Sequence, residues 1–137
     1  MMDWEECCKK LIVKNVRPDT EMVKSLIKSS ENRIKSESTL RMSKITASSK
    51  LSLAYDSLRE LLEALALKTG YKIYNHECYS AFLKEIVNKS DKGDEFNEIR
   101  KIRNAVNYYG KGITEDEAGK IILKIKALRA FISDLLK

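Results

Sequence analysis

From Leu51 to Leu65 the apolar residues Leu51, Ala54, Tyr55, Leu58, Leu61, Leu62 and Leu65 recur at steps of three and four. Only a helix turns such residues onto one face, because its 3.6-residue period matches the repeat and a strand's period of two does not. The rest of the chain permits the same structure. Proline occurs once, at Pro18, and glycine five times in 137 residues, so few positions interrupt a helix. The length suits one core, and residues 1–137 are expected to form a single all-α domain: an up-and-down bundle of four to five main helices plus a short N-terminal helix.

Punctuation between the apolar stripes sets the expected boundaries. Trp4 to Lys14 carries Trp4, Cys7, Cys8, Leu11 and Ile12 at helical spacing and reads as a docked arm. Pro18 breaks it, and Asp19 or Thr20 can cap a helix to about Lys35 striped by Met22, Val23, Leu26, Ile27 and Ile34. The longest helix is predicted from about Ser38 to Lys68, with Gly70 free to take the left-handed conformation that closes a helix. Asn75 caps a helix to Asn88, striped by Cys78, Tyr79, Phe82, Leu83 and Ile86. After a polar turn over Ser90 to Asp94, a helix runs from Asp94 to Tyr109 and closes at Gly110. It carries Ile99, Ile102, Val106 and Tyr109 on one side, Arg100, Asn104 and Asn107 on the other, and Arg103 on the border. Thr114 and Glu117 have the spacing of a capping box, opening a final helix with Ala118, Ile121, Ile122, Ile125, Leu128, Ile132, Leu135 and Leu136 as its buried stripe.

Charge and cysteine usage bound the function. A formal charge of +6 permits contact with phosphates and also suits lysine-rich helix faces. The N-terminus has acidic residues and no apolar core of a signal peptide, and no run of about 20 apolar residues occurs, so neither export nor a membrane partner is expected. Three cysteines cannot all pair internally, and the adjacent Cys7 and Cys8 make a strained pair, which suggests a reducing cytoplasm.

Most catalytic constellations find no support. A metal site is not expected, since His76 is the single histidine and the thiols form no paired C-x-x-C groups. His76 and Cys78 stand two apart at a helix start and point in different directions, which reads as a surface histidine beside a buried thiol. Gly110-Lys111-Gly112 lacks the spacing of a phosphate-cradling loop and follows no strand, and no cofactor is expected. There remains RKIRNAVNYYGKG, from Arg100 to Gly112. Arginine offers a planar fork for phosphate, asparagine reads polar edges, and tyrosine gives a stacking face with a hydroxyl. The candidate ligand-binding residues are Arg100, Arg103, Asn104, Asn107 and Tyr108. On residue types alone the same stretch also reads as a solvated helix face with Tyr109 covering the core.

The long helix YDSLRELLEALALKTGYKIYNHECYSAFLKE, from Tyr55 to Glu85, followed by a helix ending IRKIRNAVNYYG, resembles the HEPN superfamily of small helical-bundle proteins over roughly Thr39 to Leu136. The resemblance implies a four- or five-helix bundle, homodimerisation, and binding of RNA, a nucleotide or a protein partner such as a small nucleotidyltransferase. Ribonucleases of the superfamily, found in toxins and antiviral systems, use an Arg followed after four to six residues by a His. Arg103 and Asn104 match the Arg and the polar residue after it, whereas Tyr108, Tyr109 and Gly110 stand where the His would fall. A tyrosine with a pKa of about 10 is a poor proton shuttle near neutrality, so the resemblance implies a degenerate, non-catalytic HEPN-like domain. Two alternatives stand beside it: a divergent metal-independent ribonuclease using Arg103 and Tyr108 as its catalytic pair, and a purely structural helical interaction protein.

Overall fold

The computed structural model describes residues 1–137 and is an all-α bundle of six helices with one two-stranded ribbon. The elements run α1 (Trp4–Lys9), β1 (Val13–Asn15), α2 (Thr20–Thr39), α3 (Ala47–Thr69), β2 (Tyr71–Ile73), α4 (Glu77–Ala81), α5 (Ser90–Tyr108) and α6 (Glu115–Leu136); α4 continues into a π-helical turn at Phe82–Ile86. The helix α3 is the axis of the core. Its Leu51, Ala54, Tyr55, Leu58, Leu61 and Leu62 are almost fully buried, against Phe82 and Leu83 on one side and Ile125, Leu128 and Ile132 of α6 on another. No helix is long and apolar enough to cross a membrane.

Local chemistry accounts for several ends. Asp19 accepts from the Met22 amide to start α2, and Thr114 and Glu117 close a reciprocal capping box at the start of α6. Gly70 ends α3 at φ 101°, a conformation costly for a side chain with a Cβ. Asn75, expected to cap the next helix, stands one residue before the actual cap position at His76, and its side chain accepts from the Glu77 amide.

Five expectations are corrected. The N-terminal helix stops at Lys9, because Leu11 turns to φ 58° and the chain then enters β1. There β1 pairs antiparallel with β2, Val13 opposite Ile73 and Asn15 opposite Tyr71. The helix expected from Ser38 is two helices, since α2 runs on to Thr39 and α3 starts at Ala47; between them the Ser43 and Thr46 hydroxyls bond nearby backbone and hold a turn. The helix expected from Asp94 begins at Ser90, because Lys89 O accepts from the amides of Lys92 and Gly93. Tyr109 is 83 % exposed and covers no core. Finally, Cys7 and Cys78 form a disulfide that joins α1 to α4, with Cys8 exposed and free. The cysteines therefore no longer argue for a reducing compartment.

Two charged groups are built into the core layers. Glu37, at the end of α2 and 3 % exposed, meets Lys50 of α3 at 2.7 Å and Lys126 of α6 at 3.0 Å. Lys50 also donates to the carbonyls of Glu37 and Leu40, satisfying the otherwise open C-terminus of α2. Burial raises the Glu37 pKa, but bonding to Lys50 and Lys126 outweighs it and holds the carboxyl below the ordinary carboxylate value.

Candidate functional site

On the opposite flank of α3 the chain gathers a second polar group, and here the late-helix motif finds its place. Tyr55 and its neighbour Asp56 stand one turn before Arg59 on α3, while Arg100 and Arg103, three residues apart, share a face of α5. A close approach of backbones sets α5 over the α4 segment. Gly93 is buried, and a Cβ there would lie 2.7 Å from the Ser80 carbonyl oxygen, so only glycine fits without a shift.

Arg103 is the hub. Its guanidinium lies 4.8 Å from the Tyr55 ring centre and 5.3 Å from that of Tyr108, so it stacks on two aromatic faces. Nη1 donates to the Tyr108 hydroxyl at 3.0 Å, and Nη2 stands 3.6 Å from Asp56 Oδ1. The latter distance is long for a charge-assisted hydrogen bond, so Asp56 orients the fork without saturating it. The Nε atoms of both Arg103 and Arg100 are buried and have no hydrogen-bond acceptor. Arg100 donates from Nη2 to Asn97 at 2.9 Å.

The other expected residues divide. Asn104 is half-buried on α5, next to Arg103 in the chain. Asn107 is exposed and turns to α3, where it accepts from the Ser52 hydroxyl. Tyr108 is 67 % exposed, open to solvent apart from its contact with Arg103. Thus Arg100, Arg103 and Tyr108 converge around Tyr55, and Asn107 serves the helix contact.

Sequence reasoning missed the partners. His76, expected at the surface, is half-buried, and its Nδ1 lies 3.1 Å from the Tyr55 hydroxyl, with the Tyr79 ring 6.3 Å away. One tyrosine ring thus carries the arginine on its face and the chain's only histidine at its hydroxyl. Burial, then the charges of Arg59 and Arg103, push the imidazole down to about 4, so it is neutral near neutrality. Burial pushes the Tyr55 and Tyr79 hydroxyls well above their ordinary value, keeping both protonated. The available signal was small. In the apolar run YDSLRELLEALAL, Asp56 and Arg59 are charges one helical turn apart beside a core tyrosine, but nothing local points to His76.

A separate groove of about 660 Å³ opens between the end of α5 and the start of α6, floored by Ile102, Val106 and Ile121 and edged by Lys101, Lys111 and Lys124. It does not include Arg103 or His76. No group of three or more His, Cys, Asp or Glu side chains is placed to hold a metal. No family model matches the chain, and neither a curated protein nor a solved structure matches it.

Proposed function

We propose that the chain is a HEPN-like helical domain that binds a phosphate-bearing ligand, RNA or a nucleotide, at Arg103 and Arg100 without cleaving it. One observation carries the reading: Arg103 is stacked between Tyr55 and Tyr108 with its Nε–H buried and unpaired. A buried N–H without an acceptor costs about 1–3 kcal/mol, and the nearest carboxylate, Asp56, stands 3.6 Å off, so the guanidinium charge is left without a close anion. The stacked guanidinium also has little rotamer freedom left to lose on binding, and its planar fork suits two phosphate oxygens. Tyr108, exposed beside it, offers a face for a base.

The test is retention of labelled single-stranded RNA in the presence of a chelator, compared between the wild type and Arg103→Ala. Retention by the wild type, lost in the variant and without cleavage, is the expected result. Equal retention by both would remove Arg103 from the ligand.

A second reading has a specific observation behind it. The divergent ribonuclease lacks a histidine in its motif, yet Tyr55 links His76 to the ring on which Arg103 stacks. Chelator-resistant cleavage lost in Arg103→Ala would favour it, and Tyr108→Phe would then test whether that hydroxyl moves a proton. The purely structural reading draws support from the Asp56 and Asn97 contacts, and it expects neither retention nor cleavage.

A further inference from the structure

We propose that the cleft between α5 and α6 is a second binding site, for a free aliphatic carboxylate whose hydrocarbon tail lies on the cleft floor and whose head is held by Lys101, Lys111 and Lys124. The cleft shares no residue with the Arg103 group, so its occupancy does not depend on the phosphate site. Its volume of about 660 Å³ falls in the range of small-molecule sites, about 300–1,000 Å³.

The floor is aliphatic throughout. Ile102, Ala105 and Val106 of α5 line it together with Ile113 and Ile121, and each of the five is only partly buried. Leu123, also of the lining, is exposed, although α6 buries Ile122 and Ile125 beside it. Apolar surface left in water along one shared cleft gains free energy when a ligand displaces that water. None of these side chains donates or accepts a hydrogen bond, so the body of the ligand is hydrocarbon. A smaller hollow of about 290 Å³ shares Ile102, Ile121 and Lys124 and carries the seam on to Ala127. From Glu117 to Ala127 helix α6 rises about 15 Å, room for an extended chain.

Charge on the rim sets the head group. Lys120 is paired with Asp116 at 3.1 Å, whereas Lys101, Lys111 and Lys124 are exposed and make no ion pair. The one carboxylate of the wide hollow, Glu117, is turned to the Thr114 amide in the capping box. Three free ammonium groups around an apolar floor complement an anion with an apolar tail, and the lysine stems extend the apolar wall. The smaller hollow has the opposite balance: Lys92 stands 3.8 Å from Glu95, and Glu98 lies on the edge without a cation. An acidic helix long enough to fill both hollows would set its carboxylates against Glu95 and Glu98. A single-headed amphiphile avoids that repulsion, since its one charge stays with the lysines and an uncharged tail runs past the glutamates.

Isoleucine-methyl NMR of the full chain reads the floor directly, with sodium decanoate as the probe and octanoate and decyltrimethylammonium as comparisons. Decanoate should shift Ile102, Ile113 and Ile121, and octanoate, shorter by two methylenes, should bind roughly tenfold more weakly. Reversing two exposed charges, Lys111→Glu with Lys124→Glu, should weaken decanoate about tenfold or more and strengthen the ammonium probe. Ala105→Phe fills the floor without removing a charge and should abolish decanoate binding at an unchanged melting temperature. Equal affinity of the wild type for decanoate and the ammonium probe, or decanoate shifts confined to Tyr108 and His76, would overturn the proposal. Absence of decanoate binding would overturn it too, and three further measurements on the same chain would then name the occupant. Self-association removed by Leu123→Glu gives the cleft to a second copy, retention of an amphipathic Leu/Glu peptide gives it to an acidic helix, and sedimentation with phosphatidylglycerol vesicles gives it to a membrane surface.

Discussion

The two polar groups that flank α3 both bring cations to a carboxylate, to opposite ends. Around Glu37, both carboxylate oxygens face an ammonium at short range: Lys50 stands 2.7 Å from one and donates to two carbonyls, and Lys126 stands 3.0 Å from the other. Around Arg103, the carboxylate stands off at 3.6 Å and two Nε–H groups lack acceptors. A buried ion group held at short range ties helices together; one whose guanidinium has no close carboxylate has affinity to spare for a ligand. Burial separates them as well, since both side chains of the Glu37–Lys50 pair are under 10 % exposed, whereas Asp56 is 30 % exposed and Tyr108 67 %.

The contrast can be broken most forcefully at Lys50. Lys50→Ala leaves Glu37 without its closest cation and α2 without its terminal donor, and should cost about 3–5 kcal/mol in urea denaturation. A loss below about 1 kcal/mol would mean that the group is solvated and the contrast false. Next comes pH. His76 is held neutral by the fold, so the folded chain binds fewer protons than the unfolded one; this part of the stability is present above about pH 6.5 and is lost as the pH falls towards about 4. Its size, allowing for partial exposure, is on the order of 2 kcal/mol, and His76→Gln should abolish that part of the pH dependence. Glu37, also depressed, loses its contribution as the pH falls below the ordinary carboxylate range, so Glu37→Gln removes only the more acidic part of the decline.

A smaller effect is expected at the hub itself. Arg103→Lys keeps the charge but loses the planar fork and the stacking, and should weaken RNA retention about tenfold while changing stability by under about 1 kcal/mol. If it instead destabilised the chain as much as Lys50→Ala, Arg103 would belong with the structural group. The smallest change is Tyr108→Phe, which keeps the ring and removes one exposed hydrogen bond, worth about 0.5–1 kcal/mol in ligand affinity measured by titration.

Much of the scaffold was legible because its causes are local. The capping box at Thr114 and Glu117, the Asp19 cap, the left-handed Gly70 and the stripe from Leu51 to Leu65 each depend on residues within a turn or two. The break at Leu40 to Thr46 was not, since a Ser- and Ala-containing stretch is compatible with helix and the turn is settled by hydroxyl bonds. Nor was the ribbon, whose two three-residue strands carry almost no pattern and pair only because the fold brings residue 13 to residue 73. The candidate site divides the same way. Arg100, Arg103 and Tyr108 share one helix and could be read together, while Tyr55, Asp56, Arg59 and His76 join them through packing of separate elements.

The segment that presents His76 is moored on both sides by the N-terminal arm: β2 just before it pairs with β1, and Cys78 just after it is bonded to Cys7. The imidazole therefore has an address that is written by residues about sixty to seventy positions earlier in the chain. Loosening that arm, by reduction or by removing residues 1–15, would detune the histidine without touching a single residue that surrounds it.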